Sequence, residues 1–166
     1  MSQFEKFDAV LREFFGNGAR GLEDKIFKKL VTVKESESTD EHVQVIIKNP
    51  GMTNQIMTTI GSKEKLDIIT CVFNKPKISS EIIKECQLPQ TSGYRKIKEL
   101  VHAGFLIEKG HIITSDGKKA YKYNSVFGAT EIMIRKNKVS IRARIPKQHA
   151  KTSKFLQRFE IPLITS

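Results

Sequence analysis

The chain has 166 residues, of which 39% are hydrophobic and 28% charged, as in globular proteins large enough to bury a core. No apolar run approaches the roughly 18 residues that cross a bilayer, and the charged start MSQFEKFDAVL is unlike a secretory signal, so we expect a cytoplasmic protein with no membrane association. The formal net charge of +11 favours a polyanionic partner, of which nucleic acid is the commonest.

The positive charge is unevenly distributed along the chain. Residues 1–60 hold 8 Lys or Arg against 9 Asp or Glu, residues 61–130 hold 12 against 7, and residues 131–166 hold 9 against 2. A surface that only keeps a protein soluble does not require such segregation. We therefore predict an N-terminal region over residues 1–60, a central domain over 61–128 and a basic C-terminal region over 129–166.

The N-terminal region is predicted to be largely helical. Apolar residues recur at helical spacing in two segments: Phe4, Phe7, Leu11, Phe14 and Phe15, then Leu22, Ile26, Phe27 and Leu30. These nearly neutral, phenylalanine-rich helices favour dimerisation; the alternative is that they only cover the core of their own chain. A short strand follows in HVQVIIKNPG, and after it a weakly patterned helix over residues 52–60.

The central domain begins with three predicted helices. The first starts after Ser62, a residue suited to an N-cap, and the second is SEIIKEC, with Ile82 and Ile83 facing inward. The third carries an apolar row at three- and four-residue spacing and ends at a glycine: Gly93, Ile97, Leu100, Val101 and then Gly104. After it, the alternating segment FLIEKGHIITSDGKKAYKYNSV contains a Ser-Asp-Gly turn and predicts a hairpin.

This order of elements resembles the winged helix-turn-helix fold over about residues 62–127. The resemblance rests on Ile78-Ser79 before the second helix, Leu88 at the turn and TSGYR (91–95) opening the third helix. The run LVHAGFLIEKG (100–110) is similar to the helix-to-wing junction of ArsR-like and MarR-like transcriptional regulators, particularly archaeal ones. The resemblance implies an α+β fold with a three-helix core and a β-hairpin wing.

In the resembling fold the third helix enters the DNA major groove and the wing contacts the backbone or minor groove. We therefore expect double-stranded DNA to be contacted by Gln90, Thr91, Ser92, Tyr94, Arg95, Lys96, Lys98, Lys118 and Lys119. Arg95 matches guanine and Gln90 matches adenine in bidentate hydrogen bonding. Hydroxyl groups of Thr91 and Ser92 suit a phosphate oxygen. Regulators of this kind usually form homodimers, which aligns two third helices with two half-sites. The alternative is an ordinary solvated helix face.

The two predicted hairpins differ in charge. In the wing, strand alternation places Lys118 and Lys122 on one side and Lys119 and Tyr121 on the other, with Lys109 and His111 on the first strand. In the C-terminal region, ATEIMIRKNKVSIRARIP predicts a second hairpin with one apolar row: Ile132, Ile134, Val139, Ile141, Ala143 and Ile145. The basic segment QHAKTSKFLQRF follows, and it suits either DNA or a protein partner.

No catalytic constellation is present in the sequence. The four histidines lie far apart, and no phosphate-binding loop, GxSxG or HExxH motif occurs. Cys71 and Cys86 have no neighbouring Cys or His at ligand spacing, so we expect free thiols and no metal or cofactor. The metal-sensing cysteines of arsenic-responsive regulators are absent, and no small-molecule effector is assigned.

The sequence therefore predicts a non-enzymatic regulator of transcription that binds specific double-stranded DNA as a dimer. The alternative is a winged-helix module that binds protein or RNA within a larger transcription assembly.

Overall fold

A computed structural model describes residues 13, 31–35, 42–136 and 138–150, and for 31–35 and 150 it describes the backbone alone. From residue 31 onward, the described part is an α+β structure with five helices and two antiparallel sheets, which confirms the predicted class. The two predicted helices of residues 1–30 and the basic segment beyond residue 150 lie outside the described residues, apart from Glu13.

The elements follow one another in mixed order. The helices are α1 (Pro50–Gly61), α2 (Lys63–Cys71), α3 (Ser79–Glu85), α4 (Gln90–Ala103) and α5 (Lys147–Ala150). The strands are β1 (Val31–Glu35), β2 (His42–Ile47), β3 (Lys77–Ile78), β4 (Leu106–Ile113), β5 (Lys119–Ser125), β6 (Thr130–Arg135) and β7 (Lys138–Pro146). The larger sheet has the order β1-β2-β7-β6 and the smaller one the order β3-β5-β4.

Helix α1 is better defined than its apolar pattern suggested. The Asn49 side chain caps it by accepting a hydrogen bond of 3.1 Å from the Met52 amide, and Pro50 occupies the first turn, where its missing N–H costs nothing. Met52 and Ile56, one turn apart, are buried. The local cap and this short apolar row together account for a helix that periodicity alone indicated only weakly.

Helices α3 and α4 pack closely because a glycine faces the contact. A Cβ atom built on Gly93 would lie 2.6 Å from Cγ1 of Ile83. Helix α4 then ends at Gly104, whose φ of 80° is the left-handed conformation that glycine adopts readily. These two glycines fix where α4 sits against α3 and where the chain leaves it.

We expect Gly93→Ala to destabilise the protein even though alanine is the better helix former. Overpacking typically costs about 1–3 kcal/mol, and the gain in helix propensity returns about 1 kcal/mol, so the net loss is roughly 1 kcal/mol. Gly61→Ala is the matched control, because a Cβ there meets nothing within 4 Å. Urea unfolding of both variants measures the difference; equal stability of the two would contradict the close contact at Gly93.

The smaller sheet is the predicted hairpin with one short strand added. Strands β4 and β5 pair antiparallel from Leu106 opposite Ser125 to Ile113 opposite Lys119, with a shift in register between Glu108 and His111. Strand β3, just before α3, pairs with the other edge of β5. The wing-like hairpin is thereby attached to the segment that begins α3.

The larger sheet joins the two ends of the described chain. Strand β2 pairs antiparallel with β7, from His42 opposite Pro146 to Ile47 opposite Ile141. Six side chains of this pair are buried and belong to the core cluster: Val43, Val45, Ile47, Ile141, Ala143 and Ile145. The N-terminal region and the C-terminal region, which were separated on sequence grounds, thus contribute strands to a single sheet. The sequence did not indicate this, because pairing between strands so far apart leaves no local pattern.

Strand β6 differs from the sequence expectation in its burial. It forms the predicted hairpin with β7, but Ile132 and Ile134 of the expected apolar row are 40% and 69% exposed. Among the described strands β6 is one of the two edges of the sheet, and α1 packs against its neighbour β7. Of the predicted apolar row, Ile141, Ala143 and Ile145 on β7 are therefore buried, and the two isoleucines on β6 are exposed.

Candidate nucleic-acid interface

Helix α4 separates its buried and exposed residues as the sequence predicted, with the exception of Lys96. Gly93, Ile97 and Leu100 are buried against the core. The exposed positions include five of the predicted contact residues: Gln90, Thr91, Tyr94, Arg95 and Lys98. The outer side of α4 is therefore polar and carries two unburied cationic groups.

Arg95 projects from this outer side. Its side chain is 69% exposed, and its Nη1 lies 3.6 Å from Oε1 of Glu99, one turn along the helix. Glu99 has a closer cation, since Nζ of Lys65 lies 3.0 Å from its Oε2. The hydrogen bond from Lys65 is the main reason that the pKa of Glu99 is lowered. Arg95 is therefore held only loosely, as exposed ion pairs are, and its guanidinium is accessible to a partner.

Lys96 is placed differently from the sequence expectation. Its residue is only 9% exposed, and its Nζ donates to the Ser92 Oγ at 2.7 Å and pairs with Glu64 at 3.0 Å. Lys96 thus connects α4 to α2 instead of presenting free charge, and the Ser92 Oγ accepts its hydrogen bond. Lys96 stands three residues after Gly93 and four before Leu100, so helical spacing puts it beside the buried row. Nothing in the spacing indicated that Glu64 of α2 lies next to it.

The β4–β5 hairpin and α4 share one cleft. It is lined by Tyr94 and Lys98 of α4 and by Lys119 and Tyr121 of β5, next to Ser79 and Ser80 at the start of α3. Tyr94, Lys98, Lys119 and Tyr121 are all exposed. Two groups of residues that are separate in the sequence, the predicted contacts on α4 and Lys119 of the hairpin, therefore lie on the same surface.

The second predicted wing lysine has a partner at the hairpin tip. Lys118 is exposed, and its Nζ lies 2.9 Å from the Asp116 carboxylate. Asp116 also accepts a hydrogen bond from the Thr114 hydroxyl, and this bond, followed by the one from Lys118, lowers the pKa of the Asp116 carboxyl. The charge of Lys118 is consequently offset in part by its own turn.

Two further depressions widen the surface around Tyr94. One lies beside α3 and is lined by Ser80, Lys84, Gln87, Gln90 and Tyr94. The other lies towards α1 and α2 and includes Lys65, Arg95, Lys98 and His102. Ser80, Lys84 and Lys65 are not among the residues that were predicted to contact DNA. Ser80 and Lys84 occupy outward positions of the helix whose Ile82 and Ile83 face inward, and this spacing was the available signal.

Lys109 and His111, also named on the wing, do not line the cleft shared with α4. Nζ of Lys109 donates to Oε1 of Gln148 on α5 at 2.9 Å. The His111 ring lies 6.2 Å from the Tyr121 ring in an edge arrangement. Lys109 therefore connects the smaller sheet to α5.

The two cysteines are free and half-buried. Burial raises the pKa of Cys86 to about 12 and also raises the pKa of Cys71. Both groups therefore remain thiols near neutral pH, the form that is poor as a nucleophile or metal ligand. Within the described ranges, no three His, Cys, Asp or Glu residues are grouped to hold a metal ion, and no helix has the length and apolar character needed to cross a membrane.

Comparison with known proteins gave no further guide: no family model matches the chain, and neither a curated protein nor a solved structure matches it.

Proposed function

We propose that the protein is a non-catalytic, cytoplasmic transcription regulator of the winged helix-turn-helix type that binds specific double-stranded DNA as a homodimer. The observation that carries the proposal is the cleft in which exposed Tyr94 and Lys98 of α4 meet exposed Lys119 of the hairpin. A helix and a basic hairpin on one surface match the shape of a groove and the phosphates beside it.

The order of elements supports the winged-helix part of the proposal. Helices α2, α3 and α4 are followed by the β4–β5 hairpin, and β3 precedes α3. The strand order β3-β5-β4 places the hairpin next to the start of α3, on the side where its β5 strand faces α4. In this arrangement α4 is the helix that enters the major groove and the hairpin is the wing.

The residues of the surface divide into base-reading and phosphate-binding groups. The Arg95 guanidinium is exposed at the outer side of α4 and fits the two acceptors of guanine, and the Gln90 amide fits adenine. Thr91, at the start of α4, is exposed and suits a phosphate oxygen. Lys98 and Lys119 supply charge without sequence information. Lys96 is assigned to holding α4 on α2 rather than to DNA.

Titration with duplex DNA at several salt concentrations tests the proposal. We expect the wild type to bind random duplex at low salt and to lose affinity steeply as salt rises, because each neutralised phosphate releases counterions. The double variant Lys98→Ala, Lys119→Ala is expected to lower the slope of log K against log salt by about 2 for each bound subunit, hence by about 4 for a homodimer. Lys138→Ala, an exposed lysine of the other hairpin, is the control and is expected to leave the slope close to that of the wild type.

Two outcomes would contradict the proposal. One is the absence of binding to any duplex at low salt. The other is binding to single-stranded RNA in preference to duplex, which would favour a module of a larger transcription or processing assembly. Selection of bound sequences from a random duplex pool then identifies the target, and a two-fold symmetric consensus is the expected result for a homodimer.

A further inference from the structure

Strand β6 is an open edge in the described part of the chain. Its single partner there is β7, and five of its six residues are exposed. The pairing with β7 is regular from Thr130 opposite Ala143 to Arg135 opposite Lys138. The outer side of β6 therefore presents a straight row of backbone donors and acceptors.

This edge lacks the usual features that prevent strand addition. Protected edges carry proline, a bulge or a charged residue in mid-strand. The sequence of β6 is TEIMIR, so its charges stand only towards the ends, at Glu131 and Arg135. The middle consists of Ile132, Met133 and Ile134, which are apolar and suited to a strand. Such an edge is expected to pair with another strand.

The order of residues in β6 matches its own reverse. We propose that a second copy of this chain pairs antiparallel with β6 about a two-fold axis at Met133. In that register Glu131 lies opposite the partner subunit's Arg135, and Ile132 lies opposite the partner subunit's Ile134. Directly opposed charges of unlike sign and β-branched pairs both stabilise antiparallel strands. The interface is isologous, so each of these pairs forms twice.

The same register extends the apolar face of the sheet. Ile132 lies opposite Ile141 and Ile134 opposite Val139 within the hairpin, so both share the side on which Ile141 is buried in the core. They are nevertheless 40% and 69% exposed in one copy. Pairing through β6 gives each of them an apolar neighbour across the axis and joins the two four-stranded sheets into one.

The positions of the charges and isoleucines favour this register over shifted ones, and another copy of β6 is a partner that carries the complementary order. A one-residue shift would turn the isoleucine side of one copy to the opposite face of the sheet. A two-residue shift would remove Glu131 from the partner's Arg135. The inference concerns the homodimer of the proposed function and names β6 as its interface, in place of the N-terminal helices that the sequence favoured. It does not depend on DNA binding.

The association is tested by measuring the mass of the full chain in solution without DNA. We expect the wild type at tens of micromolar to show twice its chain mass of 18.9 kDa. Arg135→Glu places like charges opposite each other twice and is expected to weaken the dimer roughly tenfold or more. The double variant Glu131→Arg, Arg135→Glu restores unlike pairs across the axis and is expected to dimerise more strongly than Arg135→Glu. Recovery is expected to be partial, because Glu131 also pairs with Arg142 at 3.2 Å within the hairpin and its replacement by arginine loses that contact. Lys48→Glu, the same charge change after β2, is the control and is expected to dimerise as the wild type does.

Crosslinking tests the register itself. Met133→Cys places two thiols opposite each other on the axis, where paired strands bring Cα atoms to about 4.5–5.5 Å, within the reach of a disulfide. Ser140→Cys is the matched control, because Ser140 is the β7 residue paired with Met133 and lies roughly 14 Å from its copy across three strand spacings. Under glutathione disulfide we expect a covalent dimer from Met133→Cys and none from Ser140→Cys or the wild type.

Three results would overturn the proposal: a monomeric wild type, a dimer that Arg135→Glu leaves intact, or equal crosslinking of the two cysteine variants. None of these bears on duplex binding by a monomer. Conversely, loss of DNA binding in the titrations leaves the mass and crosslinking results unaffected, so failure of one proposal is distinguishable from failure of the other.

Discussion

Phe105→Ala is expected to lower the free energy of unfolding by about 3–5 kcal/mol, the usual cost of removing a fully buried phenylalanine side chain. Phe105 is 1% exposed, and its ring lies 5.5 Å from the ring of Phe127 at an angle of 54°. The substitution removes both the buried surface and this aromatic contact.

The position of Phe105 explains why the loss affects the whole domain. It follows Gly104, where α4 ends, and precedes β4. Its amide donates to the Leu100 carbonyl at 2.9 Å, and its carbonyl accepts from the Val126 amide at 3.0 Å. The residue therefore connects the helix, the hairpin and the segment that leads into the larger sheet.

Urea unfolding followed by circular dichroism measures this prediction. Phe73→Ala is the control, because Phe73 is the same residue type at 40% exposure, and its loss is expected to be less than half as large. Equal losses for the two variants would contradict the assignment of Phe105 to the core. If the slope of the unfolding free energy against urea concentration is the same in both variants and the wild type, the substitutions changed stability and not the compactness of the native or unfolded state.

Arg95→Ala is expected to weaken binding to the preferred duplex by about 1–3 kcal/mol, roughly 10- to 100-fold, and to relax the choice of base at one position. The reason is that an exposed guanidinium at the outer side of α4 supplies paired donors that no other residue there replaces. The fold should not change, since the 3.6 Å contact of Arg95 with Glu99 is an exposed pair of small energetic value.

Comparison with Lys98→Ala separates base reading from charge. A lysine on phosphate is expected to weaken binding to all duplexes about equally, whereas Arg95→Ala should discriminate between the preferred duplex and one altered at a single pair. Competition titrations at fixed salt measure both variants. Uniform weakening by Arg95→Ala would remove it from base recognition. No effect of either Arg95→Ala or Lys98→Ala on any duplex would contradict DNA binding by α4.

Local patterns predicted the local elements well. The apolar spacing of Gly93, Ile97 and Leu100, closed by Gly104, predicted α4, and the Ser-Asp-Gly turn predicted the β4–β5 hairpin. The second hairpin and the strand at His42–Ile47 also agree with the alternation. Each of these signals lies within one element or one turn, and hydrophobic periodicity identifies helices and strands only over such short segments.

Features that depend on distant contacts were not predictable in the same way. The pairing of β2 with β7 has no local signature, so a single sheet was divided between two regions. The burial of Lys96 depends on Glu64 of another helix, and the offset of Lys118 depends on the conformation of its turn. Lys84 and Ser80 join the surface around Tyr94 only because α3 and α4 cross closely at Gly93.

The pairing of β2 with β7 also determines the sequence of events during synthesis. The two strands lie about 100 residues apart in the chain, and ribosomes add roughly 5–20 residues each second. For several seconds β2 is present while its partner does not yet exist, and the helices and hairpin encoded between them emerge first. The larger sheet is therefore completed late, and until then Val43, Val45 and Ile47 depend on other contacts, chaperones included, to stay out of aggregates.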